Sequence, residues 1–67
     1  MNLYTVTVYY TIGTSSTTET MSIRRRANTA AQAISAVSAA FGGLSNYYDA
    51  NNTPWIRVSR VEAAIVT

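Results

Sequence analysis

Residues 29–43, TAAQAISAVSAAFGG, carry the one clear helical period in this chain, with signals at both ends. Placed at about 100° per residue, Ala30, Ala33, Ile34, Val37, Ala40, Phe41 and then Leu44 fall on one arc, which defines a core-facing stripe. Thr29 and Gln32 have the spacing of a capping box. Gly42 and Gly43 predict a left-handed stop after Phe41. The opposite arc, Ala31, Gln32, Ser35, Ser38 and Ala39, is small and uncharged, and no charged residue occurs anywhere from Ala27 to Tyr48. A solvated helix face ordinarily carries Lys and Glu, so this bare arc is a candidate contact surface.

Working outward from the helix, residues 2–12 alternate Tyr4, Val6, Val8, Tyr10 and Ile12 with Leu3, Thr5, Thr7, Tyr9 and Thr11. Period two with aromatic and β-branched residues predicts a strand whose first set faces the helix. GTSS at 13–16 predicts a turn and hence a hairpin. The return strand runs from about Thr17 to Ala27, with Met21, Ile23 and Arg25 inward and Thr18, Thr20, Ser22, Arg24 and Arg26 outward. Arg25 therefore belongs either at the sheet rim, where its head group reaches water, or beyond the last paired residue. Residues 44–54, LSNYYDANNTP, form a loop of the length that often carries function.

The last strand, 55–66, presents a phase conflict. Ile56 and Val58 share one phase, and Val61, Ala63 and Ile65 the other. A bulge near Ser59 and Arg60 would return both groups to the core face; cover on both faces of the sheet, as in a dimer, is the alternative. The order strand, strand, helix, strand predicts an α+β ββαβ two-layer sandwich with one helix on a three-stranded, mainly antiparallel sheet of order 2-1-3. An antiparallel last strand is preferred over the parallel pairing of a β-grasp domain.

Sixty-seven residues make one domain, and a chain of that size buries only about 60% of its unfolded surface. Neither Cys nor His is present, so neither disulfides nor a zinc site can supply extra support, and a homodimer or a bound partner is the expected route to it. The opening MNLYTVTVYY has no basic n-region and no long apolar run, and nothing approaches a membrane span of about 20 residues; a soluble cytoplasmic product without metal or cofactor is expected.

The acids are Glu19, Asp49 and Glu62, spread over a hairpin, a loop and the last strand, with no two paired for acid–base work. Without His, Cys or Lys, the Ser and Thr hydroxyls have no activating base. No phosphate-binding glycine loop precedes a helix. An enzyme is not expected.

Two features point to binding. All five cations are Arg, and net charge is +2. Arg24, Arg25 and Arg26 lie at the strand-to-helix junction, and Arg57 and Arg60 lie on the last strand near Tyr47, Tyr48 and Trp55. Planar guanidinium forks beside aromatic platforms are the components of single-stranded nucleic-acid binding. Consecutive Arg side chains on a strand alternate faces, so 24–26 are not one patch, and the plainer reading is a solvated rim. The plainer reading of the aromatics is a cap on the open end of the core. The second feature is the bare helix arc, in which Ala31, Ser35, Ala39 and Gly43 recur every four residues beside Ser38. Small side chains at that spacing let a protein partner approach closely, and the plainer reading is an Ala-rich helix chosen for propensity.

The alternating YTVTVYY strand (4–10), the MSIRRRANTAAQAI junction (21–34) and the WIRVSRVEAAIV ending (55–66) resemble the small ββαβ accessory proteins encoded by phages, among which anti-CRISPR and other anti-defence proteins are found. The resemblance is one of layout over nearly the whole chain, and no diagnostic motif carries a site across. Many such proteins are acidic and mimic DNA; this chain is basic, which speaks against mimicry. What the resemblance implies is a non-enzymatic inhibitor that occludes a host protein. Protein contact is thus the leading functional expectation, nucleic-acid binding the alternative, and a structural or assembly subunit the third.

Overall fold

The computed structural model describes residues 1–66. Its elements are β1 (Asn2–Ile12), β2 (Glu19–Ala27), α1 (Ala30–Leu44) and β3 (Ile56–Ile65). The strands form one antiparallel sheet of order β2-β1-β3, with α1 on one face. The α+β ββαβ layout is the expected one, including the antiparallel last strand. β1 takes the centre because it carries the densest run of β-branched and aromatic residues, and both neighbours pair along most of its length.

Register resolves the phase conflict in β3. Val58 pairs with Tyr10 and Arg60 pairs with Tyr9, so Ser59 is the extra residue of a bulge. Its hydroxyl donates to the Tyr9 carbonyl at 3.0 Å, which anchors the extra residue to β1. Ile56 and Val58 on one side of the bulge and Val61, Ala63 and Ile65 on the other then all share the helix-side face.

The core comprises Tyr4, Val6 and Val8 of β1, Ala27 at the end of β2, Ala33, Val37 and Phe41 of α1, and Ile56 of β3. Tyr10 extends it, its ring 5.5 Å from that of Phe41 in a tilted arrangement. The buried stripe of α1 is narrower than the periodicity predicts: Ala33, Val37 and Phe41 are buried, Ile34 is half-buried, and Ala40 and Leu44 are exposed. The cause is geometric. The helix packs mainly against β3, and Leu44 is its last residue, past the last buried position at Phe41.

The N-terminal cap forms much as expected. Thr29 Oγ1 accepts from the Gln32 N–H at 3.2 Å, and Gln32 Oε1 accepts in return from the N–H of Asn28, one residue earlier than in the standard box. The C-terminal expectation fails. Gly42 and Gly43 stay helical, α1 runs through Leu44, and the cap is Ser45 in right-handed geometry. Ser45 closes the end itself, donating its N–H to the Phe41 carbonyl at 3.0 Å and its hydroxyl to the Gly42 carbonyl at 2.9 Å. With those carbonyls satisfied, no left-handed residue is required.

The positive-φ glycine is Gly13 instead, at φ +55 in the β1–β2 turn, where the Ser15 N–H donates to the Ile12 carbonyl at 3.0 Å. The hairpin opens wider than predicted, since pairing resumes at Glu19 and not near Thr17. The last strand begins at Ile56, leaving Trp55 in the preceding loop. The result is a thin, long body, 42 × 20 × 13 Å, with a radius of gyration of 12.9 Å where a compact chain of this length has about 11 Å.

Candidate functional site

The face of the sheet turned away from α1 follows from register alone. β1 contributes Leu3, Thr5, Thr7, Tyr9 and Thr11. Opposite them on β2 stand Arg26, Arg24, Ser22 and Thr20, which pair with Leu3, Thr5, Thr7 and Tyr9. On β3 stand Ala64, Glu62, Arg60 and Arg57, which pair with Thr5, Thr7, Tyr9 and Thr11. Four of the five arginines therefore share one exposed surface, and Arg25, paired with Tyr4, lies at the rim of the helix side. The face carries four cations against one anion, Glu62. Arg25, Glu19 and Asp49 lie elsewhere, so the face is more basic than the chain as a whole.

The cations sit at opposite corners. Arg24 and Arg60 pair with β1 residues four positions apart and lie on strands two spacings apart, which sets their backbones about 17 Å from each other at about 3.4 Å per residue and 4.8 Å per strand. Arg26 and Arg57 extend the same diagonal to about 29 Å. Between the corners runs a lane of small hydroxyl side chains, Thr5, Thr7, Thr20 and Ser22. Thr7 and Ser22 hydroxyls meet at 3.3 Å across β1 and β2. Thr5, Thr7, Glu62 and Ala64 line a shallow open hollow.

Tyr9 stands in the middle of the β3 side of this lane. The Arg60 guanidinium lies over its ring, 4.4 Å from the centroid. The Tyr9 hydroxyl donates to Glu62 Oε2 at 3.2 Å, and Arg60 Nη2 pairs with Glu62 Oε1 at 3.3 Å. The Tyr9 hydroxyl first, and the Glu62 carboxylate second, raise Arg60 above its ordinary value. Among the described residues this is the one ion pair, and it is solvent-exposed, so it orients Arg60 more than it stabilises the fold. Sequence alternation put Tyr9 outward. Only the bulge at Ser59 brings Arg60 opposite it.

Tyr47, Tyr48 and Trp55 are not on this face. They belong to the loop at the hairpin end of the sheet, where the Trp55 N–H donates to the Tyr47 carbonyl at 2.6 Å and the Gly13 N–H to the Trp55 carbonyl at 2.7 Å. Asp49 organises the loop: its Oδ1 accepts from the N–H groups of Asn51 and Thr53, each at 2.9 Å, and Asn52 adopts φ 61. This acid has a structural role that an Asx turn at D-x-N announces in sequence. The three aromatics remain well exposed, Tyr47 at 68%. An open groove of about 450 Å³ runs from this loop to the end of the helix, between Ser38, Gly42 and Ser45 on one side and Tyr48, Pro54, Arg57 and Val58 on the other.

The bare arc of α1 is outward as expected. Ala31, Ser35 and Ala39 are exposed, and Ser38 is half-buried on the flank that borders the groove. Three of the sequence candidates, Ser38, Tyr48 and Arg57, thus meet at one groove, while the arginines of 24–26 lie at the far end of the molecule.

Among the described residues no cluster of three or more metal-ligating side chains occurs, and no helix is long and apolar enough to cross a membrane. No protein-family model, curated protein or solved structure matches this chain.

Proposed function

We propose that this chain is a non-enzymatic binding module whose helix-free sheet face takes single-stranded nucleic acid. The observation that carries this reading is the gathering of Arg24, Arg26, Arg57 and Arg60 on one exposed face around Tyr9 and a lane of hydroxyls. Guanidinium forks at the corners supply phosphate contacts, the Arg60 plane laid on the Tyr9 ring supplies a stacking platform, and the hydroxyls donate to sugar and base edges. A flat sheet with cations on its periphery suits a flexible strand laid along the diagonal. Tyr47, Tyr48 and Trp55 then serve the loop and not the strand.

The test is fluorescence anisotropy with labelled DNA and RNA oligonucleotides of mixed sequence over a salt series. With up to four phosphates neutralised, log K falls against log salt with a slope near −3, from about −0.7 per contact. Changing all four arginines to Gln abolishes the salt-dependent component. No binding at low salt, or binding indifferent to the four changes, overturns the proposal.

A second reading, protein contact, is favoured by the exposed groove where the bare helix flank meets Tyr48, Arg57 and Val58. Occlusion of a host protein in the manner of a phage-encoded inhibitor is its concrete form. It requires that Ser35→Arg or Ala39→Glu abolish capture of a protein partner without unfolding the chain, and unchanged capture counts against it.

A further inference from the structure

The free edge of β2 is the least protected element of the fold. β3 carries the bulge at Ser59 and lies under the helix, whereas β2 has no proline and no bulge. Its helix-side residues are poorly covered: Met21 is 43% exposed, Ile23 is half-buried, and Glu19 and Arg25 are exposed. An open strand edge of this kind is a template for another strand. The guards that β2 has on its helix side are the charges Glu19 and Arg25.

We infer that β2 pairs antiparallel with β2 of a second copy about a two-fold axis at Ser22, making a continuous six-stranded sheet. In this register Glu19 faces Arg25 of the second copy, Met21 faces its Ile23, and Ser22 faces itself. The relations repeat on the other side of the axis, as an isologous contact requires. Both guard charges are then neutralised by opposite charges across the strand pair, and the exposed Met21 gains an apolar neighbour.

The register is selective. Moving the axis to Ile23 sets Arg25 against Met21, and moving it to Met21 sets Glu19 against Ile23. Seven residue pairs supply on the order of six to eight main-chain hydrogen bonds. Because the axis is perpendicular to the sheet, both helices stay on one side and both arginine faces on the other. The pairing stands whether or not that face binds nucleic acid.

Charge reversal tests it, read by sedimentation equilibrium. The wild-type chain sediments at twice its 7.3 kDa mass. Glu19→Arg or Arg25→Glu alone weakens the dimer about tenfold or more, since like charges then oppose each other twice. The double variant recovers wild-type association. A second measurement uses the absence of native cysteine. Ser22→Cys cross-links to its own copy under mild oxidation, because directly opposed strand residues have Cα atoms about 4.5–5.5 Å apart, within disulfide reach. Ser35→Cys on the outer helix arc does not. A monomer at every concentration, a dimer indifferent to both single reversals, a double variant that fails to recover, or a Ser22→Cys chain that stays uncrosslinked overturns the inference.

Discussion

Replacing Phe41 by Ala is the sharpest test of the packing, because so little else holds the helix to the sheet. Among the described residues, the core has eight buried side chains, of which only Val6 and Val8 are both large and fully buried. Phe41 is 6% exposed and abuts the Tyr10 ring. Truncating a buried Phe to Ala costs about 3–5 kcal/mol, and part of that here is the lost aromatic pair. At about 0.05–0.15 kcal/mol per residue, the whole domain has about 3–10 kcal/mol to lose. Phe41→Ala therefore leaves the chain unfolded or lowers its melting temperature by at least about 12 °C, at about 4 °C per kcal/mol for a domain of this size. Circular dichroism melts read the effect. Leu44→Ala is the internal control: it lies on the same predicted stripe, yet Leu44 is 42% exposed, so its loss costs under about 1 kcal/mol. If Phe41→Ala melts within a few degrees of wild type, or if Leu44→Ala costs as much, the placement of the helix on the sheet is wrong.

Gly42→Ala and Gly43→Ala each stabilise the fold by about 0.5–1 kcal/mol in urea titrations, because both glycines are helical and an added Cβ meets nothing within 4 Å. A left-handed stop at either position would give the opposite sign. Thr29→Ala costs about 1 kcal/mol by removing the acceptor for the Gln32 N–H. Deleting Ser59 leaves Val58 and Arg60 consecutive opposite Tyr10 and Tyr9, so alternation runs unbroken through β3, and the deleted chain is expected to keep a cooperative unfolding transition in circular dichroism melts; loss of that transition would refute the register. Asp49→Ala frees two loop N–H groups and costs about 1–2 kcal/mol, with a red shift in Trp55 fluorescence as its tether to Tyr47 loosens.

Much of this architecture is legible in the sequence, and the failures have local causes. The alternation of 2–12 identifies the central strand and its buried side. The conflict between Ile56, Val58 and Val61, Ala63, Ile65 leaves a bulge near Ser59 and cover on both faces as alternatives, and the register decides for the bulge. The helix stop at Gly42 is misread because glycine permits left-handed geometry without requiring it. The Ser45 hydroxyl, three residues on, provides another way to satisfy the last carbonyls. The overwide apolar stripe is misread because periodicity reports what a helix offers and not where strands lie beneath it. Of the candidate binding residues, alternation separates Arg25 from Arg24 and Arg26. The union of those two with Arg57 and Arg60 depends on β3 pairing with β1, which the element order suggests, and on the one-residue shift at the bulge, which the phase of β3 offers as one of two readings. The Tyr47, Tyr48 and Trp55 grouping is real in space, but it lies on the loop and the groove, apart from the arginine face.

The size of the helix connects these observations. Fifteen residues at 1.5 Å span about 22 Å, while β1 with eleven residues spans about 37 Å. One such helix packed chiefly on β3 cannot cover a three-stranded sheet, so the outer part of β2 stays bare on the helix side, and the opposite face has no helix at all. Arg, Thr and Ser predominate in those regions, which keeps the uncovered sheet polar. On the opposite face the same composition concentrates cations, the property required of a surface for anionic partners. At the β2 edge it leaves Glu19 and Arg25 flanking Met21 and Ile23, a pattern that is complementary to itself. The two surfaces can therefore be separated by experiment. Charge reversal at Glu19 and Arg25 acts on the edge without touching the four face arginines, and changing those arginines to Gln leaves the edge charges in place.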